Sequence, residues 1–225
     1  MGTRHATRAR IEAQILELGR QHLVDRGAAG LSLRAIARDL GMVSSAVYRY
    51  VSSRDELLTL LLVDGYCDLA DAVTRAPQAV VWSDDVVAIA HAARAWALAN
   101  PARWALLYGS PVPGYHAPAD RTTGPGTRVI GALFDAVAAG IETGDIRLTH
   151  DVAAPPVSTD YDRIRREFGF PGDDHVMSAC FTIWAGVVGA ISLEVFGHYG
   201  PDTLSDPQTV FDSQIRLLVG LLTQH

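Results

Sequence analysis

Arg49 lies in the segment Ser44-Ser45-Ala46-Val47-Tyr48-Arg49-Tyr50-Val51, where apolar and polar side chains recur at helical spacing. Val47 and Val51 are one turn apart and, with Leu40, make an inner face. Ser45, Ala46, Arg49 and Tyr50 then point outward, with Ser44 at the N-terminus of the segment and Tyr48 on its flank. Small side chains let a backbone approach another surface closely. A guanidinium presents a fork of N–H donors that matches guanine O6 and N7, and tyrosine hydroxyls can reach phosphates. This is chemistry suited to a helix in the major groove of DNA. Ser32 and Ser44, beside free N–H groups at helix starts, are further phosphate ligands. Arg34, Arg54 and an arm of Arg4, Arg8 and Arg10 add attraction that does not depend on base sequence. Arg38 reads instead as an exposed helix residue, and the competing reading of the whole stretch is a small helical hairpin with surface arginines.

Such side chains need short rigid elements to aim them. Ser32 is a good N-cap for "LRAIARDL", in which Leu33, Ile36, Ala37 and Leu40 fall at i, i+3, i+4 and i+7. Gly41-Met42-Val43 is a three-residue turn, Ser44 is expected to cap the segment that follows, and "SSAVYRYV" is expected to be helical. Two short helices around such a turn make a helix-turn-helix. Upstream, Ile11, Ile15, Leu18 and Leu23 share one side of a first helix that stops near "DRGAAG". Downstream, "SRDE" from Ser53 carries the Ser-x-x-Glu capping pattern and opens a longer helix through "LLTLLLVDGYCDLADAVTRA".

The stretch "LSLRAIARDLGMVSSAVYRYVSSRDELL" closely resembles the DNA-binding segment of the TetR family of one-component transcriptional regulators. Ile36-Ala37, Gly41, Ser44, Tyr48, Tyr50, Ser53 and Leu57 fit the family pattern, while Val51 stands where an aromatic is usual and Arg54 where a lysine is usual. The match spans about Thr7 to Ala70. In addition, "PARWALLYGSPVPGYHAPAD" and "FDAVAAGIETGDI" look like the effector-binding domain of the WHG-type subgroup. The resemblance implies an all-α chain with two parts. An N-terminal three-helix DNA-binding domain with a helix-turn-helix occupies 8–68, and a larger helical effector-binding and dimerisation domain occupies 84–223. It also implies a double-stranded DNA operator, a small-molecule effector and a homodimer as partners, with no cofactor and no metal.

The charge distribution points the same way. The chain carries a net −6, yet residues 1–54 hold +5 and residues 55–225 hold −11, as if a basic module for a polyanion were attached to an acidic body. All nineteen basic residues are arginine, which excludes Schiff-base chemistry, a lysine general base and a Walker A loop. There is no GxSxG, HExxH or GxGxxG, so an enzyme finds little support, and a DNA-organising protein without an effector is the nearer alternative. Cys67 and Cys180 match no zinc spacing and read as reduced core thiols of a cytoplasmic protein. Val176 to Leu193 runs 18 residues without a charge, close to a membrane span, but Asp173, Asp174 and Glu194 bound it instead of basic anchors, so it reads as a buried helix with no membrane contact.

Beyond Pro77 the periodicity predicts helices near Asp84–Ala99, Ala102–Tyr108, Thr122–Thr143, His175–Phe196 and Pro207–Thr223, with a short amphipathic piece at "YDRIRREF". The segments "GSPVPGYHAPADRTTGPG" and "THDVAAPPVSTD" are expected to be irregular. The helix near 175–196 carries two adjacent apolar stripes, which implies burial on two sides. Val176, Cys180, Ile183 and Val187, with Phe211, Ile215, Leu218 and Leu222 of the last helix, are assigned to the dimer interface. Trp96, Trp104, Tyr108, Phe134 and Trp184 are candidates for an effector pocket, although core packing is the commoner role for each taken singly. His91 reads either as a polar handle in that pocket or as a histidine satisfied elsewhere.

Overall fold

A computed structural model describes residues 2–76, 79–148 and 158–223, without the side chains of residues 2–4 and 158. Among the described residues ten α-helices follow one another: α1 (Gly2–Arg26), α2 (Leu33–Asp39), α3 (Ser44–Val47), α4 (Arg54–Thr74), α5 (Trp82–Ala99), α6 (Pro101–Tyr108), α7 (Ala119–Glu142), α8 (Ser158–Phe168), α9 (Asp174–Val195) and α10 (Pro207–Val219). Single 3-10 turns occupy Ala28–Gly30 and Gly220–Leu222, and no strand occurs among the described residues. Most of "THDVAAPPVSTD" lies outside the described residues.

Local chemistry accounts for most boundaries. Pro101 and Pro207 sit in the first turns of α6 and α10, where a missing N–H costs nothing. Asp173 accepts from Val176 N at 2.9 Å and Asp206 from Thr209 N at 3.1 Å, capping α9 and α10. One boundary differs from expectation. Helix α7 begins at Ala119, so "ADRTTGPG" is helical with Pro125 inside it. Contacts distant in sequence hold this first part: Arg121 pairs with Glu56 at 2.7 Å, and a Cβ on Gly126 would lie 3.5 Å from the Tyr66 ring.

The chain divides into two compact units, residues 1–68 with 100–126, and residues 69–99 with 127–225. This differs from a sequential split at 68 and 84, because α6 and the start of α7 pack with the N-terminal helices. Arg103 of α6 donates to Asp64 at 2.9 Å and Asp68 at 2.6 Å of α4, and Arg20 of α1 donates to the same Asp64 at 2.7 Å. The core of this unit comprises Ile15, Leu23, Leu31, Leu33, Ile36, Val47, Val51, Leu57, Leu58 and Leu61.

In the second unit, α9 is long and apolar enough to cross a bilayer by composition, yet it packs against α5, α8 and α10. Arg94 of α5 makes a two-point pair with Glu194 of α9 at 2.7 and 2.6 Å. His91 lies 3.1 Å from Asp212 of α10 and edge-on to Phe211, so it joins two helices. Gly186 permits close approach of α9 and α10, since a Cβ there would lie 2.4 Å from the Leu218 side chain.

This packing corrects the assignment of the dimer interface. Val176, Cys180, Ile183, Val187, Phe211, Ile215 and Leu222 are all buried within their own chain, and Leu218 is half-buried. Side chains already removed from water have no surface to offer a partner. The exposed apolar residues lie on the opposite faces: Phe181, Ala185, Leu193 and Phe196 from α9 onward, and Leu217 and Leu221 at the end of the chain.

Candidate nucleic-acid interface

The reading segment is held by a short hydrogen-bonded path. Ser32 Oγ accepts from Ala35 N at 3.4 Å and starts α2, which buries Leu33, Ile36 and Ala37. Gly41 has φ of +65°, and no atom lies within 4 Å of where its Cβ would be, so backbone conformation alone calls for glycine there. Gly41 N donates to Arg38 O at 3.0 Å and Met42 N to Ala37 O at 2.8 Å, the double bond pattern of a glycine-stopped helix. The chain then enters α3, whose regular part is four residues long. Arg49 N to Ala46 O and Tyr50 N to Val47 O continue it as tighter turns, and Val47 and Val51 are fully buried beneath.

One predicted cap is different. The N-cap of α3 is Val43, which offers no side-chain acceptor, and Ser44 is the first helical residue. The fit of Ser44 to the family pattern is corrected with it: that pattern has its serine two residues after the glycine, and here this position holds Val43. Val43 is therefore a residue that sequence reasoning passed over, although the count alone could have found it.

The outer face collects the predicted residues unevenly. Arg34, Ser45, Tyr48 and Arg49 are exposed, and Arg34 and Arg49 make no hydrogen bond or ion pair with other described residues. Ser32, Ser44, Ala46 and Tyr50 are half-buried. Tyr50 packs against the core, with the Arg8 guanidinium 5.6 Å from its ring centre. Arg8 itself donates to Glu12 at 2.7 Å, and the Arg4 side chain lies outside the described residues.

Arg54 has a structural task as well. Its Nη2 donates to Ala28 O at 3.0 Å and Ala29 O at 3.2 Å, tying the start of α4 to the 3-10 turn that precedes α2. Ser53 caps α4 through Glu56 N at 3.0 Å, while the Glu56 carboxylate turns to Arg121 instead of completing the box. A further tie was not visible in sequence. Buried His22 of α1 places Nε2 2.7 Å from the Asp39 carboxylate at the end of α2, and its buried Nδ1 has no hydrogen-bond partner. This hydrogen bond, with Arg38 nearby, holds the Asp39 carboxyl below its usual range.

The second unit holds a cavity of about 530 Å³ formed by the end of α4, α5 and α7. Ala88, Ala132, Ala136, Gly131, Ile89 and Val73 supply its apolar lining, and Asp85, Asp135 and Arg128 its charged groups. None of the five predicted pocket aromatics lines it. Trp96, Trp104 and Phe134 are buried core residues, and Tyr108 and Trp184 are half-buried. Trp104 packs on Tyr108 at 4.4 Å in the first unit, and Phe134 stacks on Phe170 at 4.7 Å in the second. Aromatic side chains serve cores as well as pockets, and here they fill the core, whereas the cavity lies where alanines leave room.

Comparison with known proteins agrees with this geometry. Residues 15–61 match the family described as bacterial regulatory proteins, tetR family, and residues 86–218 match the tetracyclin repressor-like C-terminal domain. The chain is 71% identical to HTH-type transcriptional regulator Rv1816 of Mycobacterium tuberculosis, over all of this chain and 97% of that one. Mb1846 of Mycobacterium bovis, also an HTH-type transcriptional regulator, has the same identity and coverage. Among solved structures, regulatory protein SCO4313 superposes with a TM-score of 0.76 at 30% identity, covering 96% of this chain and 98% of that one. Transcriptional regulator FadR from Bacillus subtilis, solved in complex with stearoyl-CoA, shares the fold with a TM-score of 0.65 at 12% identity, over 95% and 99% of the two chains. With its helix-turn-helix, its helical second domain and these relatives, the chain belongs to the TetR family of DNA-binding transcriptional regulators.

Proposed function

We propose that the protein is a homodimeric, ligand-responsive repressor that leaves a pseudo-palindromic operator when a small apolar or amphipathic molecule enters the cavity of the second unit. That cavity carries the effector part of the reading. Its volume falls within the range of roughly 300–1,000 Å³ usual for ligand sites, and its lining joins apolar side chains to the charged groups of Asp85, Asp135 and Arg128 in about equal parts, as an amphipathic ligand requires. FadR of Bacillus subtilis, which shares the fold, binds stearoyl-CoA, in keeping with an amphipathic ligand. Val73 and Thr74, at the end of α4, stand in the cavity wall, and the other end of the same helix follows the Ser53 cap next to the reading segment. A ligand that prefers one setting of α4 would shift the population of settings and move the two reading heads of a dimer out of step with successive major grooves. For the dimer, the support is the exposed apolar face of Phe181, Ala185, Leu193, Leu217 and Leu221, which suits pairing with the same face of a second copy. Such a regulator works in the cytoplasm, where its two free cysteines stay reduced.

A thermal-shift screen tests the effector reading. A true ligand at about one hundred times its Kd stabilises the protein by about 2.7 kcal/mol and raises Tm. Ala132→Trp, which fills the cavity, should abolish both that shift and ligand-induced release from DNA, with operator affinity unchanged. If no compound stabilises the protein, or if the filled variant responds as the wild type does, the effector reading fails.

A further inference from the structure

Val43 is an apolar side chain in a costly place. It is the N-cap of α3 and 71% exposed, and it offers no acceptor to the helix start. Valine is among the poorest N-caps, and serine, which the family pattern carries at this spacing, among the best. Single exposed valines are common on protein surfaces and by themselves mean nothing. This one is exposed in the turn immediately before the segment read as the recognition helix, two residues from exposed Ser45. The inner side of that helix is already filled, with Val47 and Val51 completely buried, so Val43 has no role in the domain core.

Apolar groups have one specific counterpart in the major groove, the C5 methyl of thymine. We propose that Val43 is a specificity-determining residue, its isopropyl group packing on the C5 methyl of one thymine in each operator half-site. The proposal rests on the reading of α3 as the recognition helix. It divides the labour: Arg49 supplies hydrogen bonds that favour guanine, and Val43 supplies an apolar contact that favours thymine over cytosine. Loss of the cap is then the cost in helix stability of a base contact that serine would not make.

The test uses the full-length protein and an operator selected from random DNA. Each thymine of one half-site is replaced in turn by deoxyuridine, which removes the methyl group alone. At one position the wild type should bind about fourfold more weakly, the factor expected for losing burial of one methyl-sized group, and about fifteenfold more weakly when both half-sites are changed. Val43→Ala should weaken binding to the thymine operator and lose its sensitivity to deoxyuridine at that position only. Val43→Ser, which restores a cap and keeps the domain folded, should behave in the same way. The proposal is overturned if no deoxyuridine substitution matters to the wild type, if the variants keep its sensitivity, or if the selected half-sites hold no thymine. Should no sequence be selected at all, the recognition-helix reading itself falls, an outcome distinct from a selected operator indifferent to its methyl groups.

Discussion

The arginines of the reading domain divide by what they touch. Arg49 is exposed and makes no bond with other described residues, so its guanidinium is available to a base. Arg49→Ala should weaken binding to the selected operator by roughly 1–3 kcal/mol while leaving non-specific binding nearly unchanged, as fluorescence anisotropy against operator and scrambled DNA would show. Arg54 was expected to act as a phosphate contact, but its bonds to Ala28 O and Ala29 O also make it a brace. Arg54→Ala should therefore lower the stability of the protein by roughly 1–3 kcal/mol in chemical denaturation without DNA, the range for a hydrogen bond from a charged donor. A mutant of unchanged stability would return Arg54 to the purely electrostatic role. The exposure of Arg49 was legible in sequence because Val47 and Val51 set the inner side of an eight-residue segment, whereas the packing of Tyr50 against the core was not. The bonds of Arg54 were not, because its partners lie more than twenty residues away.

At the scale of elements, local signals predicted helices wherever local chemistry sets their limits. Ser32, Ser53, Asp173, Pro101, Pro207 and Gly41 all mark boundaries that the structure keeps. Two features escaped because tertiary contacts decide them. The start of α7 is held by Glu56 and lies against Tyr66, and the apolar stripes of α9 look equivalent until α5 and α10 cover one of them. The His22–Asp39 tie between α1 and α2 also spans elements, and it carries a pH signature. The folded carboxyl of Asp39 titrates below the ordinary value of 3.8, so the stability it contributes is present above that value and is lost as pH falls through the lower folded one. Asp39→Asn should thus flatten the acid limb of the stability curve below about pH 4, followed by urea denaturation at a series of pH values. An unchanged acid limb would mean that the hydrogen bond contributes nothing to folding.

At the scale of the molecule, a basic reader and an acidic body answer different demands. The positive charge of residues 1–54 favours DNA, and the −11 of the remainder disfavours contact with DNA elsewhere. The exposed face of α9 and α10 should close a dimer, so Leu217→Arg should halve the mass seen by light scattering and sharply weaken operator binding, with the helical content of each chain retained. A dimer that survived this change would place the interface elsewhere. The central claim is that two copies of the α3 face read two half-sites in successive major grooves. Hydroxyl-radical footprinting of the selected operator tests it most directly. The account predicts two protected patches on one side of the duplex, about one helical turn apart, both needing a much higher protein concentration with Arg49→Ala. A single patch, uniform protection along the DNA, or a footprint unchanged by Arg49→Ala would contradict it.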